Sequence, residues 1–273
     1  MQKNMNMKYI LFIISTTILI MLFSCNKDVP YNFQENDTTR GMWGNVVLYD
    51  EFGNEVLNYE GVSIKAHCID TLDIDSLGNV VIFDTIINTT TDKKGFWALD
   101  KAPSGRYTIE FLKDGYCKNQ IYNYSYDTMR ADTLDMLYLS VKPQGSIALD
   151  SISLTNKVLN ISRTISFTTV QSTDYMLSTW YFFDTIPTVS NTQYIYSYIS
   201  GASVANGGKT NSMTIKKPLD KLFENGIKAG QKVYVRAYVD NAKYVQYQIS
   251  DDEWVYPNIS IGSSILSFTM PEE

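Results

Sequence analysis

The chain has 273 residues, a formal net charge of −6 and an apolar fraction of 44%, enough for one large globular domain or two small ones. The negative balance argues against nucleic-acid binding, which needs a basic surface. One histidine and three cysteines leave little material for metal or thiol chemistry, so we expect no cofactor. The 20 tyrosines and 12 phenylalanines favour β-strands, because such side chains fit a pleated, half-buried surface.

The N-terminus is typical of a secretory signal. Lys3 and Lys8 precede an apolar run over residues 9–23, which is shorter than the roughly 20 residues that a membrane-spanning helix needs. The run ends at Leu22-Phe23-Ser24-Cys25, which resembles a bacterial lipobox. That resemblance implies a signal peptide over residues 1–24 and acylation of Cys25. The alternative is an ordinary secretory signal with a coincidental cysteine.

A polar, aperiodic stretch follows, and we interpret residues 25–40 as a tether. Lys27 and Asp28, with Glu35 and Asp37, resemble the acidic export signals of Bacteroidetes surface lipoproteins. The resemblance implies a lipid-anchored protein of the outer membrane that faces the cell exterior.

From residue 41 onward the pattern predicts an all-β fold of two β-sandwich domains in tandem, because short extended runs alternate with turn residues. Tyr107, Ile109 and Phe111 alternate with polar residues, which places them on one buried face. A second alternating set comprises Val233, Val235, Ala237 and Val239. One helix of about two turns is predicted to start at Pro218 and to end before Gly226.

A strand ends before Lys142-Pro143-Gln144-Gly145, so we place a domain boundary there and predict domains over 41–142 and 143–273. The first resembles the carboxypeptidase regulatory-like, or prealbumin-like, domain. The residues that carry this resemblance are Gly44, Val46, Gly53, Gly61, Val62, Thr91, Asp92, Gly95, Phe96, Pro103, Gly105, Tyr107, Phe111, Gly115 and Tyr116. The likeness implies a β-sandwich without a peptidase of its own.

The second domain resembles a fibronectin-III or immunoglobulin-like sandwich, through Trp180-Tyr181-Phe182 and the strand Gln231–Asn241. The order of signal and domains is similar to a Bacteroidetes lipoprotein family of unknown function, whose members are often encoded beside SusC/SusD-type uptake pairs. The resemblance implies an accessory surface protein with no catalytic residues to transfer, and such an uptake complex as its partner.

Two cysteines remain once Cys25 is acylated. Cys68 and Cys117 could form a disulfide outside the cytoplasm, or they could be two buried thiols. His67 precedes Cys68, so the two point to opposite faces of a strand and cannot easily share a metal ion. The stretch 73–84 has the spacing of a calcium loop, but a hairpin turn explains the same residues, and we predict no metal site.

The triplet of Asp, then Ser or Thr, then an apolar residue (Thr39 in one case) occurs eight times, where composition predicts about one or two. It resembles the O-glycosylation sequon of Bacteroidetes exported proteins. The alternative is ordinary turn-to-strand chemistry. The candidate hydroxyls are Thr38, Thr71, Ser76, Thr85, Thr128, Thr133, Ser151 and Thr185.

Aromatic clusters are the candidates for ligand binding, because aromatic rings can stack on the C–H faces of sugars. Tyr194, Tyr196 and Tyr198 alternate with other residues and are predicted to share one face. A second cluster consists of Tyr244, Tyr247, Trp254 and Tyr256. The alternative is that these rings are ordinary sandwich core.

The resulting hypothesis is a non-catalytic binding or accessory module in surface glycan or nutrient uptake. A structural role, as an adhesin or a fimbria-like subunit, is the alternative. An enzyme is not expected, because the metalloprotease motif HExxH and the hydrolase motif GxSxG are both absent, although a pair of carboxylates would suffice for glycoside hydrolysis.

The sequon hypothesis predicts that native protein carries added hexose mass. Intact-mass measurement of the protein isolated from its own cells checks this directly. A mass that corresponds to the bare polypeptide would contradict glycosylation.

Overall fold

Strands make up nearly all of the regular structure in the computed structural model, which describes residues 41–74, 80–127, 131–171, 174–201, 203–205 and 207–272. The predicted signal, Cys25 and the tether lie outside these ranges. The first nine strands are β1 (Gly41–Tyr49), β2 (Glu55–Val56), β3 (Ser63–Ile74), β4 (Val80–Thr90), β5 (Phe96–Asp100), β6 (Gly105–Leu112), β7 (Asn119–Tyr126), β8 (Asp132–Thr133) and β9 (Leu137–Ser140).

The remaining elements are β10 (Gly145–Thr155), β11 (Val158–Gln171), β12 (Tyr175–Asp184), β13 (Tyr196–Ile199), β14 (Ser203–Ala205), β15 (Gly208–Pro218), a short helix α1 (Asp220–Glu224), β16 (Lys232–Asn241), β17 (Tyr247–Ser250), β18 (Glu253–Val255) and β19 (Leu266–Thr269). The predicted all-β fold of tandem sandwiches is confirmed. Among the described residues, no helix is long and apolar enough to cross a membrane.

Two sheets form the first sandwich. The antiparallel sheet β4-β3-β6-β7 contributes one layer, and β1 organises the other by pairing with β2, β5, β8 and β9. Tyr107, Ile109 and Phe111 of β6 are buried, as their alternation predicts. Between the layers, Trp97 packs edge-on against Phe111 with ring centroids 5.5 Å apart. Apolar burial of this kind supplies the main stabilising free energy.

The second sandwich pairs the sheet β10-β11-β15 with a sheet in which β12 and β16 are central and β13, β14 and β19 flank them. The predicted alternating set on β16 faces the core between these sheets and is fully buried. Tyr238 and Asp240 of the same strand point the other way and are buried too. The cause is the segment 256–263, which lies on this outer face and bonds to β16 through Ser260 N to Val239 O, 2.9 Å, and Ser263 N to Ala237 O, 2.8 Å.

The predicted helix is present but shorter than expected and begins later. Pro218 is the last residue of β15, paired with Val158, so the chain is still extended there. The helix starts at Asp220, and Gly226 adopts a positive φ of 88° just beyond its end.

The predicted boundary at 142/143 falls between β9 and β10. It stays a prediction, because contacts group Thr38–Glu273 into one compact unit.

The turn between β4 and β5 generates a stability prediction. Gly95 has a φ of +81°, and a Cβ there would lie 2.1 Å from the carbonyl oxygen of Val46. We expect Gly95→Ala to lower the unfolding free energy by more than about 3 kcal/mol, because β1 must move as well as the turn. Gly115→Ala is the matched control, since Gly115 has a φ of +80° with nothing within 4 Å. That control should lose only about 1–2 kcal/mol. Equal losses in urea denaturation would contradict the account.

Candidate functional site

A buried layer of aromatic side chains covers the outer face of β12 and β16. Trp180 and Phe182 alternate with inward-facing residues of β12, and both are buried by the segment 256–263 and its neighbours. Tyr256 packs edge-on against both rings, with centroid distances of 4.9 and 5.0 Å. Tyr194 lies 4.9 Å from Phe182 and its hydroxyl is 2.8 Å from that of Tyr256. Two rings of this layer, Tyr194 and Tyr256, also line a groove at its margin.

A groove opens at one margin of this layer, and we call it the aromatic groove. It encloses about 570 Å³. Its lining consists of Tyr194, Ile195, Tyr196, Ser197, Asn225, Gln246, Asp252, Trp254 and Tyr256. Trp254 on β18 is 38% exposed, so its ring is available to a ligand. Rings beside amide, hydroxyl and carboxylate groups suit a ligand with apolar faces and polar edges.

A second groove, the junction groove, has a volume of about 750 Å³ and takes its walls from both sandwiches. Its lining consists of Asn119, Ile121, Tyr124, Thr133, Leu134, Asp135, Met136, Leu137, Tyr138, Ala242, Lys243, Tyr244, Val245 and Gln246. The Lys243 ammonium lies 5.6 Å from the ring centroid of Tyr138, within the range of a cation–π contact. Tyr244 is 42% exposed.

Asp240 is buried beneath this surface and joins the two sandwiches. Its carboxylate accepts hydrogen bonds from Trp180 Nε1 at 3.0 Å, the backbone N–H of Asn241 at 2.6 Å and Asn258 Nδ2 at 3.0 Å. Asn258 Nδ2 also donates to Ser140 Oγ of β9 at 2.8 Å. Burial raises the pKa of Asp240 to about 7, although these hydrogen bonds favour the ionised form.

Cys117 belongs to the same network. Its Sγ donates to Asn258 Oδ1 at 3.1 Å, and burial, reinforced by the charge of Asp240, raises its pKa to about 11. Cys68 instead is buried in the first core beside Tyr107, whose pKa burial raises. Of the two alternatives for these cysteines, the structure has free thiols and no disulfide between them.

The prediction that Tyr194, Tyr196 and Tyr198 share one face is wrong. Tyr196 and Tyr198 pack inward against Phe183 and Tyr181, at 5.8 and 6.2 Å, whereas Tyr194 belongs to the outer aromatic layer. The reason is that β13 begins only at Tyr196, so the alternation does not extend back to residue 194.

The second predicted cluster divides by exposure. Tyr244 and Trp254 reach solvent and line different grooves. Tyr256 is only 5% exposed, so it forms the floor of the aromatic groove rather than a wall. Tyr247 is 8% exposed and lies in neither groove lining. The aromatic groove therefore combines Tyr194 and Tyr196 from one predicted cluster with Trp254 and Tyr256 from the other.

The candidate glycosylation hydroxyls that the structure describes are all accessible to some degree. Thr133 and Ser151 are exposed, and Thr85 and Thr185 are partly exposed. Thr38, Ser76 and Thr128 lie outside the described residues, as does the side chain of Thr71. Glycosylation stays a prediction.

His67 points outward, with Nε2 3.3 Å from the Asp84 carboxylate.

Sequence reasoning missed the residues that join the two sandwiches. Asp240 and Asn258 carried no local signal, because their partners are remote in the chain.

The groove residue Tyr138 did carry a local signal in the sequence. It alternates with the buried Leu137 and Leu139, which places its side chain outward on β9. Gln246 and Lys243 follow a strand end and belong to no motif.

No family model matches the chain, and no curated protein does. Among solved structures, a DUF3823 family protein from Bacteroides uniformis is 15% identical over 85% of this chain and 100% of its own, with a TM-score of 0.27. A "putative carbohydrate binding protein" from Bacteroides uniformis and a DUF3823 family protein from Parabacteroides merdae are each 12% identical. Both alignments cover 84% of this chain and 98% of the other, with TM-scores of 0.30. TM-scores and identities this low carry no statement about function.

The raised pKa of Asp240 generates a prediction about stability and pH. The carboxyl binds its proton more tightly in the folded than in the unfolded chain. Its stabilising contribution to the unfolding free energy is therefore fully present below about pH 4 and is lost as the pH rises through about 7. We expect Asp240→Asn to remove this part of the pH dependence, as measured by urea denaturation across that range.

Asp100→Asn is the control, because it removes an exposed carboxylate from β5. In this control the unfolding free energy should fall between pH 4 and 7 by the same amount as in the unsubstituted protein. An Asp240→Asn variant with that same fall would contradict the assignment.

Proposed function

We propose that this chain is a non-catalytic glycan-binding protein, held at the cell surface by lipid on Cys25, that serves nutrient uptake. The observation that carries the proposal is the aromatic groove. Its exposed Trp254 ring stands beside amide and carboxylate groups on a floor that aromatic packing holds in place. A sugar ring offers C–H bonds to an aromatic face and hydroxyls to polar neighbours, so the groove matches both halves of that ligand.

The groove linings support binding without bond breaking. Hydrolysis of a glycosidic bond generally needs two carboxyl groups that flank it, about 5–9.5 Å apart. The described lining of the aromatic groove offers only Asp252, and that of the junction groove only Asp135.

Anchoring and partnership rest on the sequence. Acyl chains on Cys25 would hold the protein at the outer membrane, and two or more chains bind far more firmly than one. A SusC/SusD-type uptake complex is the proposed partner, to which the protein would present captured glycan. Intact-mass measurement of native protein should give a chain that starts at Cys25 and carries acyl mass. A chain that starts elsewhere would contradict the anchor.

The proposal predicts that Trp254→Ala weakens glycan binding about tenfold, which corresponds to about 1.4 kcal/mol of lost stacking and apolar contact. A glycan array identifies the sugars that bind, and titration calorimetry measures the affinity. Tyr122→Ala is the matched control, because Tyr122 is a partly exposed ring on β7 outside both groove linings. No binding to any arrayed glycan, or equal losses in both variants, would contradict the proposal.

A further inference from the structure

The aromatic groove and the junction groove meet at one residue. Gln246 lines both grooves. It is the last residue of the stretch 242–246, which forms one wall of the junction groove. Gln246 immediately precedes β17, which pairs with β18, the strand that carries Trp254. The two grooves are therefore neighbours on one surface.

The same buried ring supports both grooves from below. Trp180 packs edge-on against Tyr244, 5.6 Å between centroids, and against Tyr256, 4.9 Å. Tyr244 lines the junction groove and Tyr256 the aromatic groove. Trp180 is itself fixed by its hydrogen bond to Asp240. A wall residue of the junction groove and a floor residue of the aromatic groove thus pack against the same buried side chain.

A surface that crosses from one sandwich to the other works only if the joint between them is fixed, and several contacts fix it. The ring of Phe52 in the first sandwich packs against Phe167 and Tyr175 in the second, with ring centroids 6.4 and 6.2 Å apart. Gln120 Nε2 of β7 donates to the backbone oxygen of Gln248 on β17 at 3.0 Å. Asn241 Nδ2 donates to the backbone oxygen of Asp50 at 2.5 Å. Both hydrogen bonds are partly buried, and breaking them would leave polar groups with poor access to water, so they oppose rearrangement of the joint.

The chemistry of the junction groove resembles that of its neighbour. It offers Tyr138 and Tyr244 as rings and Gln246 as an amide, and its one described cation, Lys243, is balanced by its one described acid, Asp135. That balance suits an uncharged ligand. Each groove alone has a volume in the range, about 300–1,000 Å³, that accommodates a drug-sized ligand. Together they exceed what a single sugar fills.

We propose that the two grooves form one continuous site for an extended, neutral polysaccharide chain, which lies across both sandwiches and passes Gln246. The inference rests on the proposed glycan-binding function and deepens it, because it replaces recognition of a terminal sugar by recognition of several consecutive units. Linked contacts along one chain raise the affinity beyond that of either groove.

The test is titration calorimetry of the mature chain with ladders of xylo-, manno-, cello- and malto-oligosaccharides. For the ladder that binds, the affinity should increase with length until both grooves are filled. Tyr138→Ala in the junction groove and Trp254→Ala in the aromatic groove should each weaken binding of the longest member about tenfold. The shortest member should respond to only one of these substitutions. Tyr122→Ala again serves as the control.

Tyr244→Ala is a second variant of the junction groove, in case removal of Tyr138 disturbs its contacts with Tyr49 and Lys243. If Trp254→Ala weakens binding at every length while both junction variants leave it unchanged, the extended site is wrong and the proposed function stands. If no ladder and no arrayed glycan binds the unsubstituted chain, the proposed function fails, and the extended site fails with it.

Discussion

A carboxylate buried between two sandwiches constrains much of this structure. Among the described residues, no lysine or arginine forms an ion pair with Asp240, so hydrogen bonds must offset the loss of water around it. Those bonds come from the Trp180 ring, from the backbone of Asn241 and from Asn258, on three separate parts of the chain. Removing any of these donors would leave a buried acceptor partly unsatisfied, which disfavours rearrangement of the joint.

The geometry of the candidate site follows from that constraint. Asn258 ties the segment 256–263 to β16 on one side and to Ser140 of the first sandwich on the other. That segment keeps water from the outer face of β12 and β16, so the aromatic rings there pack as a core and not as a surface. The two grooves lie at the margins of this layer, where Trp254 and Tyr244 reach solvent. A binding surface on so rigid a base loses little conformational entropy when it binds a ligand.

Local patterns in the sequence predicted the fold class and the principal core residues. The alternation on β6 and β16 identified the inner faces correctly, because a period of two depends only on the pleat. The same alternation could not show that Tyr238 and Asp240 are buried, since their cover comes from residues about 20 positions further along the chain. It also placed Tyr194 on the wrong face, because the strand begins after that residue. The junction groove combines Tyr138 with Tyr244, which no local pattern connects.

Native-state hydrogen exchange in increasing denaturant tests most directly whether this joint makes the two sandwiches one body. Peptides from β6 report on the first sandwich and peptides from β12 on the second. The account predicts that both lose their protection at the same denaturant concentration, as one cooperative unit does. Loss of protection in one sandwich at a clearly lower concentration than in the other would contradict it.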